Sequence, residues 1–243
     1  MILALKSDDV CDKVMQKPTT PDVAIQISGA DFAWTTGSAT LKGIDLEVKM
    51  GELLGVVGPV ACGKSTLLAA IQGEVPASLG SVCRQGTMAY VAQEPWIVNA
   101  TLKENITFGC AEDEERYNSI LDATALKPDL QAIYGGDQAE IGERGINLSG
   151  GQKARVELAR AIYTDRDIVL MDDVMSAVDN QAGQTIMKEA ILGKLAGKTR
   201  VLCTHAAQYL HHCDRVVVMR DGKITHGPAS FEELVSAPVN ISA

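Results

Sequence analysis

Apolar positions fall into two regimes along the chain. In "VAIQISGADFAW" (Val23 to Trp34) and "ATLKGIDLEVKMGELLGVVG" (Ala39 to Gly58) they recur with a period near two, as Ile44, Leu46 and Val48 do between polar neighbours. A turn at "MGE" leads to "LLGVV", apolar on both faces and short, the pattern of a central parallel strand. Residues 64–73, "KSTLLAAIQG", predict a helix closed by Gly73, and "TMAYVAQ" predicts another strand. From about residue 100 to 163 the period lengthens. "LKENITFG", "AEDEERYNSILDAT" and "GGQKARVELARAIYTD" read as helices with no good strand among them. Strands and helices then alternate as "IVLMD", "NQAGQTIMKEAIL", "TRVLCTH" and "AAQYLHH". The end, "DRVVVMRDGKITHGP", reads as a hairpin tipped by Asp221 and Gly222. Strand–helix alternation interrupted by a helical insert predicts an α/β core carrying an α-helical lobe.

Composition narrows the class. The 243 residues are 46% hydrophobic but only 4% aromatic, so the core rests on aliphatic side chains. A net charge of −9 and the lack of a Lys/Arg run disfavour a nucleic-acid surface. No apolar run approaches the roughly 20 residues of a membrane span, so no direct membrane insertion of this segment is expected. "MILALKSDDV" is too short an apolar stretch to be a secretory signal. Residues 1–22 end in "KPTTPD" and read as a linker or tail. Six cysteines without CxxC spacing fit free thiols in a reducing compartment, and "HHC" at His211 to Cys213 reads as a helix end.

Chemistry enters at "GPVACGKST". Gly58, Gly63, Lys64 and Ser65 satisfy GxxxxGK[ST] between a predicted strand and a predicted helix, the context a phosphate loop requires. Glycines let successive backbone N–H groups turn toward phosphate oxygens, and the helix start, running on through Thr66, adds partial positive charge. Lys64 suits the outer phosphates of ATP, and the Ser65 hydroxyl suits Mg²⁺. Cys62 lies inside the loop. Thiols in electropositive, amide-rich surroundings react readily, so alkylation at Cys62 and protection by ATP are expected.

"NLSGGQKARVELARA" (Asn147 to Ala161) offers a second anion-binding helix start, with the Ser149 hydroxyl, the Gly150 and Gly151 amides, and Gln152. One ATP does not need two such sites from one chain. Two chains facing head to tail each supply the other's, which implies ATP sandwiched at an interface.

"LSGGQ" resembles the signature of ABC ATPases, and other pieces follow in that family's order from about residue 23 to the end. The resemblance implies a P-loop NTPase of the ABC-ATPase fold, residues 23–243, with a RecA-like core, an antiparallel β subdomain and an α-helical subdomain at about 100–163. It implies that Trp34 stacks on adenine, with Phe32 the lesser candidate. It implies that Gln93 meets Mg²⁺ and the attacking water, that Asp172 holds Mg²⁺, that "SAVD" (Ser176 to Asp179) is the D-loop, and that His205 senses the γ-phosphate. "EPWIVNATLKENITFG", "GERGINLSGGQKARVELARAIY" and "MDDVMSAVD" look like the first nucleotide-binding domain of C-subfamily, multidrug resistance-associated exporters.

In most ABC ATPases a Glu follows the Walker B Asp, and here it is Asp173. One methylene less withdraws the carboxylate by about 1.5 Å, and misplacement near 1 Å lowers rates on the order of 10²-fold. The resemblance therefore implies a site that binds ATP but turns it over slowly, with Ser149 to Gly151 completing a competent site on a second nucleotide-binding domain in trans. The implied setting is the cytoplasmic face of a membrane, coupled to the transmembrane domains of the same transporter. The surface around "QEPWIVNATL" is the expected coupling face, with Trp96 and Ile97 as exposed candidates. Alone, the domain is expected to be monomeric and weakly active. The alternatives that remain open are a nucleotide-sensing domain of a channel-associated C-subfamily protein, a soluble ABC ATPase acting on nucleic acid, and an importer subunit. The second predicts basic surface, and the third sits poorly with the paired aspartates.

Overall fold

A computed structural model of the chain describes residues 17–34, 40–142 and 147–236. Most of the expected tail, Cys11, and residues 143–146 of the "GERGINLSGGQ" stretch lie outside the described residues.

Strand β1 (Val23–Phe32) pairs antiparallel with β2 (Leu41–Lys49) on one side and β4 (Ala77–Arg84) on the other. Apolar alternation in β2 buries Leu41, Ile44, Leu46 and Val48 while their polar neighbours face out. β4 had no signal in the sequence. Its residues 77–81 are exposed, and only Val82 and Cys83 are buried within "ASLGSVCR".

The main sheet has six strands in the order β11-β10-β3-β9-β8-β5. β3 (Leu53–Val57), β5 (Met88–Val91), β8 (Ile168–Asp172), β9 (Thr199–Cys203) and β10 (Arg215–Arg220) run parallel, and β11 (Lys223–Ala229) closes one edge antiparallel. The β10–β11 hairpin turns at Asp221 (φ 47) and Gly222 (φ 74), the two left-handed residues that a tight hairpin needs. Successive residues of the parallel strands face opposite cores. Leu53, Val169, Met171 and Val218 join one hydrophobic cluster with the helices of the lobe. Leu54, Val56, Leu170 and Val217 join another with the antiparallel sheet and helix α1 (Lys64–Gln72). Burial on both faces accounts for the unbroken apolar runs "LLGVV" and "IVLMD".

The lobe contains α2 (Leu102–Thr107), α3 (Glu114–Ala123), α4 (Lys127–Ala132) and α5 (Gly150–Tyr163). It also contains one pair of two-residue strands, β6 (Ala100–Thr101) and β7 (Glu140–Ile141), which corrects the expectation of no strand here. Two residues are too few to carry a period. α6 (Asn180–Thr185) continues as a π-helical stretch, Ile186–Lys194. "AAQYLHH" forms a 3₁₀ helix, Ala207–His212, where an α-helix was expected. A short α7 (Phe231–Ser236) ends the described chain.

Candidate functional site

Parallel strands deliver chemistry at their carboxyl ends, and four do so here. β3 opens into the phosphate loop, β5 into Gln93, β8 ends at Asp172 before Asp173, and β9 is followed by Thr204 and His205. Gly63, Lys64, Ser65, Thr66, Gln93, Asp172, Asp173 and His205 all line one cleft of about 330 Å³.

The loop's glycines are dictated by close approach. A Cβ on Gly58 would lie 2.2 Å from the Met219 carbonyl oxygen and 2.7 Å from Cys62 Sγ, and Gly63 caps α1 at φ 108. The hairpin tip braces the loop, with Gly222 N donating to Cys62 O at 3.0 Å. Lys64 Nζ donates to the Gly58 and Pro59 carbonyls at 2.6 and 2.9 Å, so the loop itself directs the ammonium. The Cys62 side chain turns into the core beneath the loop and is 6% exposed, which overturns the expectation of a readily alkylated thiol. Trp34 is exposed beside the loop, and its indole Nε1 donates to Thr66 Oγ1 at 3.3 Å. Phe32 is fully buried in the core, which leaves Trp34 as the available ring.

Asp172 and Asp173 are both buried. The Tyr90 hydroxyl reaches toward Asp172 Oδ2 at 3.4 Å, and burial together with that carboxylate pushes the phenol's pKa up. Asp173 has a left-handed backbone, φ 52, held by its N–H on the Cys203 carbonyl and by Ser176, whose hydroxyl donates to the Asp173 carbonyl at 2.8 Å. Asp173 Oδ2 lies 3.2 Å from His205 Nδ1, in ion-pair range but outside hydrogen-bond geometry, so this buried oxygen has no hydrogen bond among the described residues. Burial raises the Asp173 pKa; His205 and Lys64 oppose that shift and Asp172 adds to it. The hydroxyl of Ser65, the amide oxygen of Gln93 and the carboxylate of Asp172 share the cleft. This all-oxygen set suits a Mg²⁺ that also takes phosphate oxygens.

Ser149, Gly150, Gly151 and Gln152 are not among the walls of that cleft. They start α5, where Ser149 Oγ accepts from Gln152 N at 3.2 Å and Gln152 Oε1 accepts from Ser149 N at 2.8 Å. The start of α5 packs on the D-loop so closely that a Cβ on Gly151 would sit 2.5 Å from the Ala177 carbonyl oxygen. Ser149 and Gly150 are exposed.

Two functional neighbours escaped the sequence reading. Midway along α5, buried Glu157 accepts the backbone N–H groups of Ala92 (3.0 Å) and Trp96 (3.2 Å), which flank Gln93. One turn on, buried Arg160 donates to the Trp96 carbonyl at 2.8 Å and to both oxygens of Asn105. Burial raises the Glu157 pKa and lowers that of Arg160. The only signal available was a Glu in an otherwise apolar helix face, which reads equally well as a solvated position. Of the two coupling-face candidates, Trp96 is exposed and stacks edge-on against exposed Phe108 (5.8 Å, 77°), whereas Ile97 is buried.

Residues 41–176 match the ABC transporter family. ATP-binding cassette sub-family C member 3 of Homo sapiens is 48% identical over 219 residues, covering 88% of this chain and 14% of its own length. Sub-family C member 2 of Mus musculus is 46% identical over 234 residues, covering 95% of this chain and 15% of its own length. ABC transporter C family member 8 of Dictyostelium discoideum is 42% identical over 236 residues, covering 96% and 15%. The chain thus spans about a seventh of these relatives. No helix among the described residues is long and apolar enough to cross a membrane. A phosphate loop, a paired-aspartate strand end and an LSGGQ helix start, borne on this sheet and matched over this span, place the chain in the ABC transporter family as an ATP-binding domain of the C-subfamily type.

Proposed function

We propose that this domain binds Mg-ATP at the cleft beside Lys64 and closes head to tail against a second nucleotide-binding domain, driving efflux through the transmembrane domains of one exporter. Trp34 stacks on the adenine, and Lys64 with the loop amides carries the phosphates. Ser65, Gln93 and Asp172 hold Mg²⁺, which when bound supplies positive charge at the phosphate oxygens. Gln93 orients the attacking water, Asp173 is too short to activate it well, and His205 faces the γ-phosphate. Ser149, Gly150 and Gly151 serve the partner's ATP. The observation that carries this reading is the separation of two anion sites: the α5 start is exposed and outside the cleft that gathers the phosphate loop, Gln93, Asp172, Asp173 and His205. Closure passes to the membrane domains through the Gln93–Leu102 surface, where Trp96 is exposed.

Site-resolved trapping in the assembled transporter tests it. ATP is expected to be retained at this chain's phosphate loop and hydrolysed at the partner's, with Ser149→Ala suppressing the partner's turnover. Equal, Ser149-independent turnover at both loops contradicts it.

A further inference from the structure

Asp129, on α4, is one end of a bridge whose other end is the signature. Its Oδ1 accepts from Gln152 Nε2 at 2.8 Å, and its Oδ2 pairs with Arg155 Nη1 at 2.7 Å. Both side chains are largely shielded, Asp129 19% and Arg155 12% exposed. Arg155 also donates from Nε to the Gly151 carbonyl at 3.1 Å, so the bridge grips the signature at two points.

The consequence lies in the amide of Gln152. A carboxylate only accepts, so it must face the –NH₂ end of that amide. The oxygen end is thereby turned to the Ser149 N–H, 2.8 Å away. A flipped amide would set oxygen against the Asp129 carboxylate and –NH₂ against the Ser149 N–H, losing both bonds. With the Ser149 backbone held there, Ser149 Oγ accepts the backbone N–H of Gln152 at 3.2 Å. Among the described residues the Ser149 O–H meets no acceptor, so it can donate outward. We propose that Asp129 is a positioning residue for the trans ATP site: its bond to the Gln152 amide turns the amide oxygen to the Ser149 N–H, which holds the Ser149 backbone and so the place from which the hydroxyl donates. This rests on the sandwich reading above.

The test is a donor–acceptor exchange in which the double variant restores the parent's net charge. Asp129→Asn keeps an oxygen for Arg155 but presents –NH₂ to Gln152. Adding Gln152→Glu restores an acceptor facing both that –NH₂ and the Ser149 N–H. Removing one aligned donor at a developing charge lowers rates by roughly 10²–10³, and disorienting one should lower them about tenfold. In the assembled transporter, Asp129→Asn is expected to reduce vanadate trapping of nucleotide at the partner's phosphate loop about tenfold. Photolabelling of this chain's own loop by an ATP analogue should be unchanged, which also reports that the domain is folded. The double variant should return trapping to within about threefold of the parent. In the isolated chain, exchange at the Ser149 amide should quicken in the single variant and slow again in the double. If Ser149→Ala abolishes partner-site trapping while Asp129→Asn leaves it within twofold, the inference is overturned. A folded double variant that restores nothing also overturns it. If Ser149→Ala itself has no effect, the sandwich reading falls, and this inference with it.

Discussion

Asp173 Oδ2 and His205 Nδ1 stand 3.2 Å apart at the floor of the cleft, the carboxylate buried and the imidazole half in solvent. The acid that follows the Walker B strand is thus placed against the histidine, on a backbone turned to φ 52. Asp is among the few non-glycine residues that adopt this conformation readily. A longer acid here gains reach and loses backbone comfort. Asp173→Glu is expected to raise ATP turnover at this site by about tenfold or more and to lower folding stability by roughly 1 kcal/mol. Single-turnover hydrolysis and thermal unfolding of the same preparations check both arms; unchanged or lower turnover counts against the short-acid argument.

The buried carboxylate also sets a pH dependence. Burial, chiefly, raises the Asp173 pKa above its unfolded value. Such a group contributes stability below its unfolded pKa, and that contribution is lost as pH rises through the folded pKa. Asp173→Asn should therefore unfold at a higher temperature than the parent near pH 7 in the absence of nucleotide. The gap should close as the pH falls below the ordinary carboxylate range, about pH 4. A gap that persists or widens in acid excludes this assignment.

The two signature glycines should not be equivalent in the fold. Gly151 faces the Ala177 carbonyl oxygen at 2.5 Å from a would-be Cβ, whereas the nearest atom to a Cβ on Gly150 is 3.9 Å away. Gly151→Ala is expected to destabilise the domain by about 1–3 kcal/mol through overpacking, and Gly150→Ala by less than about 0.5 kcal/mol. Denaturant titrations of the two variants side by side decide it.

Glu157 and Arg160 tie the Gln93 segment to the helix that begins at Ser149. Glu157→Ala leaves the buried backbone N–H groups of Ala92 and Trp96 without their acceptor, a loss of about 1–3 kcal/mol for each. The emission of Trp96, isolated in a Trp34→Phe background, should report the released segment. Parent-like stability and emission would show that the tether is slack.

Thiol labelling separates sequence expectation from structure. Cys110 is exposed, while Cys62, Cys83, Cys203 and Cys213 are buried. Among the described cysteines, alkylation should reach Cys110 first and Cys62 only on unfolding, with ATP making little difference to Cys62. Mass mapping after a short iodoacetamide pulse reads this directly.

The parallel strands and the phosphate loop were legible because two-sided burial and close backbone approach leave compositional marks, as in "LLGVV" and at Gly58. β4 was not, because its first five residues are exposed and carry one apolar side chain of any size, Leu79, among small and polar ones. The direction of the Cys62 side chain was hidden for a different reason: a loop motif lists residues but not which of them turn inward. Asp129 and Glu157 were unreadable because their partners lie 23 and up to 65 positions away. Only the fold brings them together.

ATP binding and hydrolysis by the purified chain, followed in one experiment with Lys64→Ala as the blank, test the central claim most directly. Saturable Mg-ATP binding that Lys64→Ala abolishes, with turnover that stays slow until a second nucleotide-binding domain is added, is the predicted result. Fast hydrolysis by the chain alone, or binding indifferent to Lys64, would contradict it.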